Sequence, residues 1–312
     1  MSELKLFAGN SHPKLASKVA ELLGIPLSPM TIKRFASGEI YARCEESVRG
    51  ADVYVIQTAT ANVNEDLMEL FVILDSLKRS FAGKIHVVIP HFPYSRQDRV
   101  ASPREPISAK LMAGLIEKAG ADHVISFSLH APQIQGFFAN AMDNVNSMKL
   151  FVEYFKAKNL KDLVVVSTDA GGAKEAKKLA DILGAGLAIL NKSRPSHNMA
   201  EVTHVVGDVA GKTCIIYDDM IDTAGSVCGA KKALEANGAT GDVYLAATHA
   251  VFSPPAIDRL IEAKFTEVVV TDTIPRVDTE MFDSLVHLSV APMISQIIKN
   301  VHEQKSITNV YG

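Results

Sequence analysis

The chain has 312 residues, of which 47% are hydrophobic, 21% charged and 6% aromatic, and its formal net charge is -3. That length predicts two domains, each with a full core, and the hydrophobic content excludes a disordered chain. The small negative charge argues against nonspecific nucleic-acid binding, which needs a basic surface, and favours a small anionic ligand held by a few local cations. Cys44, Cys214 and Cys228 are isolated in sequence, so neither a zinc site nor a disulfide framework is expected. No apolar run reaches membrane-spanning length, and Met1-Ser2-Glu3 leads straight into a strand without a basic and apolar leader. A cytoplasmic protein with no membrane partner is expected.

The predicted elements alternate along the chain. A strand at Leu4 to Ala8 precedes a helix at Pro13 to Leu23; strands at Val53 to Ile56, Ile85 to Ile89 and His123 to Phe127 then alternate with helices at Glu65 to Ser80 and Ser108 to Lys118. The pattern repeats with helices at Met148 to Lys158, Ala173 to Leu183, Ser226 to Ala236 and Pro254 to Ala263. Between them lie the apolar runs Leu163 to Val166, Gly186 to Leu190, Thr213 to Tyr217, Val243 to Ala246 and Val268 to Val270. Continuous apolar strands are buried on both faces, which predicts an α/β protein built on mainly parallel sheets flanked by helices. The expected division is a domain over residues 1–147, a similar one over 148–291, and a last helix and tail, 292–312, that packs back on the first.

The most informative stretch is Ile215 to Ser226, in which an apolar strand runs into Asp218 and Asp219 and then into the turn Asp222-Thr223-Ala224-Gly225-Ser226. Small residues at a helix N-terminus can aim successive backbone N–H groups at a phosphate. Carboxylates at the carboxyl end of a strand suit the paired hydroxyls of a sugar. Phosphate and vicinal diol together describe a ribose 5-phosphate. Lys192 and Arg194 present two cations beyond the strand Gly186 to Leu190, with Asn198 and Glu201 following; such a pair suits polyphosphate. Arg96 and Gln97 follow another strand and are candidates for nucleotide contacts. His130 and Asp169, each after a different strand, suit a magnesium nucleotide, because Mg²⁺ keeps waters and phosphates and needs few protein ligands.

These clusters, together with Gly9-Asn10-Ser11, Glu46 to Gly50, Pro106 to Lys110 and Gln133 to Phe138, resemble the ribose-phosphate pyrophosphokinases over essentially the whole chain. The loop at 218–226 is similar to the ribose-phosphate motif of type I phosphoribosyltransferases, which implies two domains of that type. The resemblance implies transfer of the β,γ-pyrophosphoryl group of Mg-ATP to ribose 5-phosphate, giving phosphoribosyl pyrophosphate and AMP. It further implies a homohexamer built from dimers in which Phe35, Ser37, Gly38 and Glu39 serve a neighbour's adenine, with Lys192 and Arg194 catalytic. Arg96 and Gln97 are then on ATP, His130 and Asp169 on Mg²⁺, and Arg194, Asp218, Asp219 and Asp222 to Ser226 on ribose 5-phosphate. Ser47, Arg49 and Arg104 would belong to a regulatory anion site. The chain departs from the family pattern at Ser37, where Asp or Asn is usual, at Val100, Ser102 and Pro103, which remove two cations and a hydroxyl, and at Glu175, which reverses a charge. A transferase that consumes phosphoribosyl pyrophosphate would share the 218–226 loop but would leave residues 1–145 and the Lys192/Arg194 pair unexplained.

Overall fold

The computed structural model describes residues 2–193, 202–276 and 282–311. The chain divides into two compact units: Met1–Asn146 with Thr273–Pro275 and Ser289–Gly312, and Ser147–Asp272 with Arg276–Leu288.

In the first unit β1 (Leu4–Ala8), α1 (Pro13–Leu23), β2 (Met30–Arg34), β3 (Ile40–Cys44), β4 (Asp52–Ile56), α2 (Val63–Arg79), β5 (Lys84–Ile89), α3 (Ser108–Ala119), β6 (His123–Phe127) and β7 (Ala141–Val145) follow in order, with a short 3-10 helix at Pro132–Phe137. The main sheet is parallel throughout, in the order β1-β4-β5-β6-β7. Its alternation divides the side chains cleanly. Val53, Val55, Ile85, Val87 and Val124 join Leu70, Leu74 and Leu77 of α2 and Ala113 and Ile116 of α3 in one buried cluster. The intervening positions carry Tyr54, His86 and His123, which sit side by side in register. Tyr54 stacks on His86 with ring centres 4.4 Å apart, the two histidine Nδ1 atoms lie 3.0 Å apart, and His123 Nε2 meets Asp143 at 2.9 Å. Burial first, and the neighbouring His123 second, hold the His86 imidazole down at about 4. The hairpin β2–β3 forms its own antiparallel sheet.

The second unit contains α4 (Met148–Lys158), β8 (Leu163–Ser167), α5 (Ala173–Leu183), β9 (Gly186–Ser193), β10 (Val202–Val206), β11 (Thr213–Ile221), α6 (Gly225–Ala236), β12 (Val243–Ala250), α7 (Ala256–Ala263), β13 (Glu267–Thr271) and β14 (Leu285–Leu288). Its sheet runs β10-β9-β8-β11-β12-β13-β14, with only the β9–β10 pair antiparallel. Every residue of β12 is buried, because the sheet is covered twice. Val243, Leu245 and Ala247 pack with Val227 and Leu234 of α6 and Leu260 of α7. Tyr244 and Ala246 pack with Phe151 and Phe155 of α4 and Leu179 of α5. The chain ends with α8 (Ala291–His302) and α9 (Thr308–Tyr311), both in the first unit. There α8 packs on α1, and His302 Nδ1 meets Asp52 of β4 at 3.2 Å.

Candidate active site

In the second unit the strand order reverses between β8 and β11, the position at which an open α/β sheet leaves a ligand crevice at its carboxyl ends. Pairing of β11 with β8 stops at Tyr217 against Ser167, while pairing with β12 continues to Ile221 against Ala250. Asp218 and Asp219 therefore lie inside the strand rather than at its end, a correction to the sequence reading that follows from the greater length of β12. On the β8 side, where the ladder has stopped, Thr168 Oγ1 donates to Asp218 Oδ2 at 2.9 Å, and the Asp219 N–H donates to Asp218 Oδ1 at 2.9 Å. Burial, reinforced by the adjacent Asp219 carboxylate, pushes the Asp218 carboxyl up to about 7.

Beyond Ile221 the chain passes Asp222 and the exposed Thr223, reaches Ala224 at φ 59° and enters α6 at Gly225. A left-handed non-glycine residue costs roughly 1–2 kcal/mol, and this one turns the strand abruptly into the helix. The Ala224 carbonyl accepts the Cys228 N–H at 3.0 Å, so the N–H groups of Gly225 and Ser226 precede the first intrahelical bond, as a phosphate-binding terminus requires. Arg259 of α7 braces the turn by donating from Nη1 to the Thr223 carbonyl at 2.9 Å, and a Cβ on Gly225 would lie 3.4 Å from that nitrogen. Sequence reasoning did not find Arg259, since nothing in its helical neighbourhood marks it out.

Asp169 is exposed, and its Oδ1 accepts the Gly172 N–H at 3.0 Å, capping the entry to α5 with one oxygen and leaving Oδ2 outside that bond. Ser167 Oγ donates to the Asp169 carbonyl at 2.7 Å. A Cβ on Gly172 would come within 2.9 Å of that hydroxyl, so a larger residue there would have to displace the Ser167 side chain. Lys192 lies within β9 opposite Thr203 of β10, which corrects its expected place beyond the strand: antiparallel pairing with β10 carries β9 through Ser193. Arg194, Asn198 and Glu201 lie outside the described residues, as does the Lys192 side chain.

In the first unit Arg96 and Gln97 are exposed on the segment that follows β5. Tyr94 turns that segment at φ 56°, Gln97 N–H donates to the Tyr94 carbonyl at 3.0 Å, and the Gln97 carbonyl accepts the Ala109 N–H of α3 at 3.1 Å. His130 is exposed after β6, where the Leu129 N–H donates to Asn144 Oδ1 at 3.0 Å. Phe35 is 51% exposed near the tip of the β2–β3 hairpin and stands edge-on to Tyr41 at 5.9 Å. Gly38 closes that tip at φ 93°, and Ser37 Oγ donates to Glu39 Oε2 at 2.6 Å, which ties two predicted adenine contacts together. Arg49 is exposed and stacks on Phe81 at 4.6 Å. Neither Arg49 nor Arg104 has an ion-pair partner among the described residues. Glu105 holds the segment just before Arg104 by accepting the N–H groups of Ala101 at 3.0 Å and Ser102 at 2.8 Å.

Comparison with known proteins supplies the lineage. Residues 4–120 match the family model for the N-terminal domain of ribose phosphate pyrophosphokinase, and residues 191–312 match the phosphoribosyl synthetase-associated domain. The ribose-phosphate pyrophosphokinase of Bacillus caldolyticus is 50% identical over 309 residues, covering 99% of this chain and 98% of that protein. This chain belongs to the ribose-phosphate pyrophosphokinase family. The Bacillus subtilis (strain 168) pyrophosphokinase is 46% identical, over 99% of this chain and 97% of its own length. Among solved structures, phosphoribosylpyrophosphate synthetase from Mycobacterium smegmatis superposes with a TM-score of 0.92 at 44% identity, covering 97% of this chain and 100% of that one. As expected of a pyrophosphokinase of this family, the chain is an α/β enzyme of the transferase class with mainly parallel sheets.

Proposed function

We propose that this chain transfers the β,γ-pyrophosphoryl group of Mg-ATP to the anomeric hydroxyl of ribose 5-phosphate, giving phosphoribosyl pyrophosphate and AMP for nucleotide, histidine and tryptophan biosynthesis. The observation that carries the reading is the β8–β11 crevice, where Asp218, Thr168 and the Ala224 turn stand at a strand-order reversal. The first unit supplies ATP and regulatory contacts and the second holds ribose 5-phosphate. The turn from Asp222 to Ser226 takes the 5-phosphate, and Asp218 and Asp219 orient the ribose hydroxyls. The anomeric hydroxyl then loses its proton to solvent as its oxygen attacks the β-phosphorus, the bond from that phosphorus to the α-phosphate oxygen breaks, and AMP leaves. Lys192 and Arg194 stabilise charge on the moving group, and the rate rests on in-line positioning and charge neutralisation.

Among the described residues no cluster of three or more His, Cys, Asp or Glu side chains could enclose a metal ion. His130, exposed in the first unit, and Asp169, exposed in the second with one oxygen outside the Gly172 bond, each carry donors suited to Mg²⁺ that arrives with ATP and keeps its waters. When bound, the ion neutralises phosphate charge. Arg96 and Gln97 contact the nucleotide. The exposed Phe35 ring, with Ser37, Gly38 and Glu39, stacks against and edges the adenine of a neighbouring subunit, in a homohexamer built from dimers. No described helix is long and apolar enough to cross a membrane; the proposed location of the enzyme is the cytoplasm. Purified protein with ATP, Mg²⁺ and ribose 5-phosphate should form AMP and phosphoribosyl pyrophosphate in equal amounts. Release of ADP instead, or no AMP, would overturn the reading.

A further inference from the structure

Gln97 belongs to the proposed ATP contacts, and the role of its hydrogen-bond partner Ser108 rests on that reading. The polar groups of Gln97 can be accounted for one by one. The backbone N–H donates to Tyr94 and the backbone carbonyl accepts from Ala109. The side-chain Oε1 accepts the Ser108 hydroxyl at 2.6 Å. Ser108 and Ala109 open α3, so main chain and side chain of Gln97 dock together on the first turn of one helix, whose leading N–H groups need acceptors from outside. Ser108 is buried while Gln97 is exposed. What remains of the side chain, beside the second lone pair of Oε1, is the pair of Nε2 N–H donors, which has no acceptor among the described residues.

A primary amide that rotates freely offers either its oxygen or its two N–H donors to a ligand; one whose oxygen is fastened keeps its donors fully available and only one lone pair of the oxygen. We propose that Ser108 is a positioning residue that orients the Gln97 amide by holding its oxygen, so that Gln97 meets ATP through its Nε2 donors and the ATP atom it contacts is a hydrogen-bond acceptor, a ring nitrogen or an oxygen, rather than the exocyclic amine. Ser108 does not touch the nucleotide. It removes the rotamer and flip freedom that Gln97 would otherwise lose on binding, and it dictates which edge of the ligand is read.

Steady-state kinetics with ATP varied at saturating ribose 5-phosphate test this. Ser108→Ala should raise the KM for ATP about 3- to 10-fold, the scale of one neutral hydrogen bond, with kcat and the KM for ribose 5-phosphate nearly unchanged. Ser108→Thr, which keeps the hydroxyl, should restore the KM. Gln97→Ala should raise the KM for ATP by a similar factor, and adding Ser108→Ala to it should change nothing more. Gln97→Glu, which accepts from Ser108 but presents no donor, should bind ATP no better than Gln97→Ala, and it tests the donor role even if Ser108→Ala folds poorly. A wild-type KM in Ser108→Ala, additive effects in the double variant, or tight ATP binding by Gln97→Glu would each overturn the proposal. An unchanged KM in Gln97→Ala would instead overturn the placement of Gln97 at ATP.

Discussion

In the first unit the strands run β1-β4-β5-β6-β7 without reversal, whereas in the second the order turns back between β8 and β11. A reversal sends successive connections away from each other and leaves a crevice that the backbone itself provides. Asp218 and Thr168 meet there, with the Ala224 turn following the same strand. A sheet without reversal leaves no such gap, and the proposed nucleotide residues of the first unit stand instead on loops braced by side chains: Gln97 by Ser108, the hairpin tip by Ser37 and Glu39, the 101–102 segment by Glu105. The proposed sugar site is thus a property of topology, and the proposed nucleotide site a property of loop chemistry.

The sharpest way to break that contrast is through the two cations expected beside the crevice. Lys192→Ala or Arg194→Ala should lower kcat by about two to four powers of ten, the scale of removing a transition-state charge stabiliser; Lys192→Ala should leave ribose 5-phosphate affinity nearly unchanged, whereas Arg194→Ala should weaken it as well. Wild-type turnover in the double variant, measured as AMP formation, would remove both from the mechanism.

The two units should also answer acid in opposite directions. His86 stays neutral in the folded chain down to about 4, against an ordinary value of 6.5; the unfolded chain binds that proton first, so stability is lost as pH falls below 6.5. Asp218 keeps its proton up to about 7 against an ordinary 3.8, so the folded chain binds more protons between those values and stability rises as pH falls through that window. Going from about pH 7.5 to about pH 5 should shift each local stability by on the order of 2 kcal/mol. Hydrogen exchange corrected for intrinsic rates should then show weaker protection in β5 and stronger protection in β11. Asp218→Asn should abolish the second change, and parallel loss in both strands would contradict the assignment.

A smaller effect is expected at the phosphate turn. Thr223→Val keeps the shape and removes the hydroxyl, so ribose 5-phosphate should bind about 10-fold more weakly while ATP is unaffected; loss of ATP affinity alone would mean the two pockets are reversed. The smallest concerns control. With Val100, Ser102 and Pro103 lacking two cations and a hydroxyl, and the Glu105 carboxylate occupying the N–H groups of Ala101 and Ser102, added phosphate should change the rate less than about threefold, because each missing charged donor weakens anion binding about tenfold or more. Dialysed enzyme that is nearly inactive until phosphate is restored would show that Ser47, Arg49 and Arg104 suffice.

Buried apolar strands were legible in the sequence because their composition is uniform: Val53 to Ile56, Ile85 to Ile89 and Leu163 to Val166 each fall within an observed strand. The hairpin β2–β3, β7, β10 and β14 were not, because Lys33, Arg34, Arg43, Asp143, Asn144 and His287 interrupt them and their partners are distant or antiparallel. At the candidate site the carboxylates and the small-residue turn were legible as chemistry. The far end of β11 was not, since pairing with β12 sets it. Arg259 escaped notice, and Thr168 and Ser108 lie in legible motifs yet were given no role, for a common reason: each acts on a residue distant in sequence, through a single hydrogen bond that no local pattern encodes.

The return of the chain to the first unit through Thr273–Pro275 and Ser289–Gly312 bears on how the protein is made. Met293, Ile294, Ile297 and Ile298 of α8 are buried in that unit, and none of them exists while its strands leave the ribosome. Synthesis therefore delivers a first sheet that must wait, with apolar surface open, through the whole length of the second unit. Residues 147–272 are complete earlier as a nearly continuous stretch, so the later-made unit is the one positioned to settle first, and the N-terminal sheet closes only when the final helix arrives.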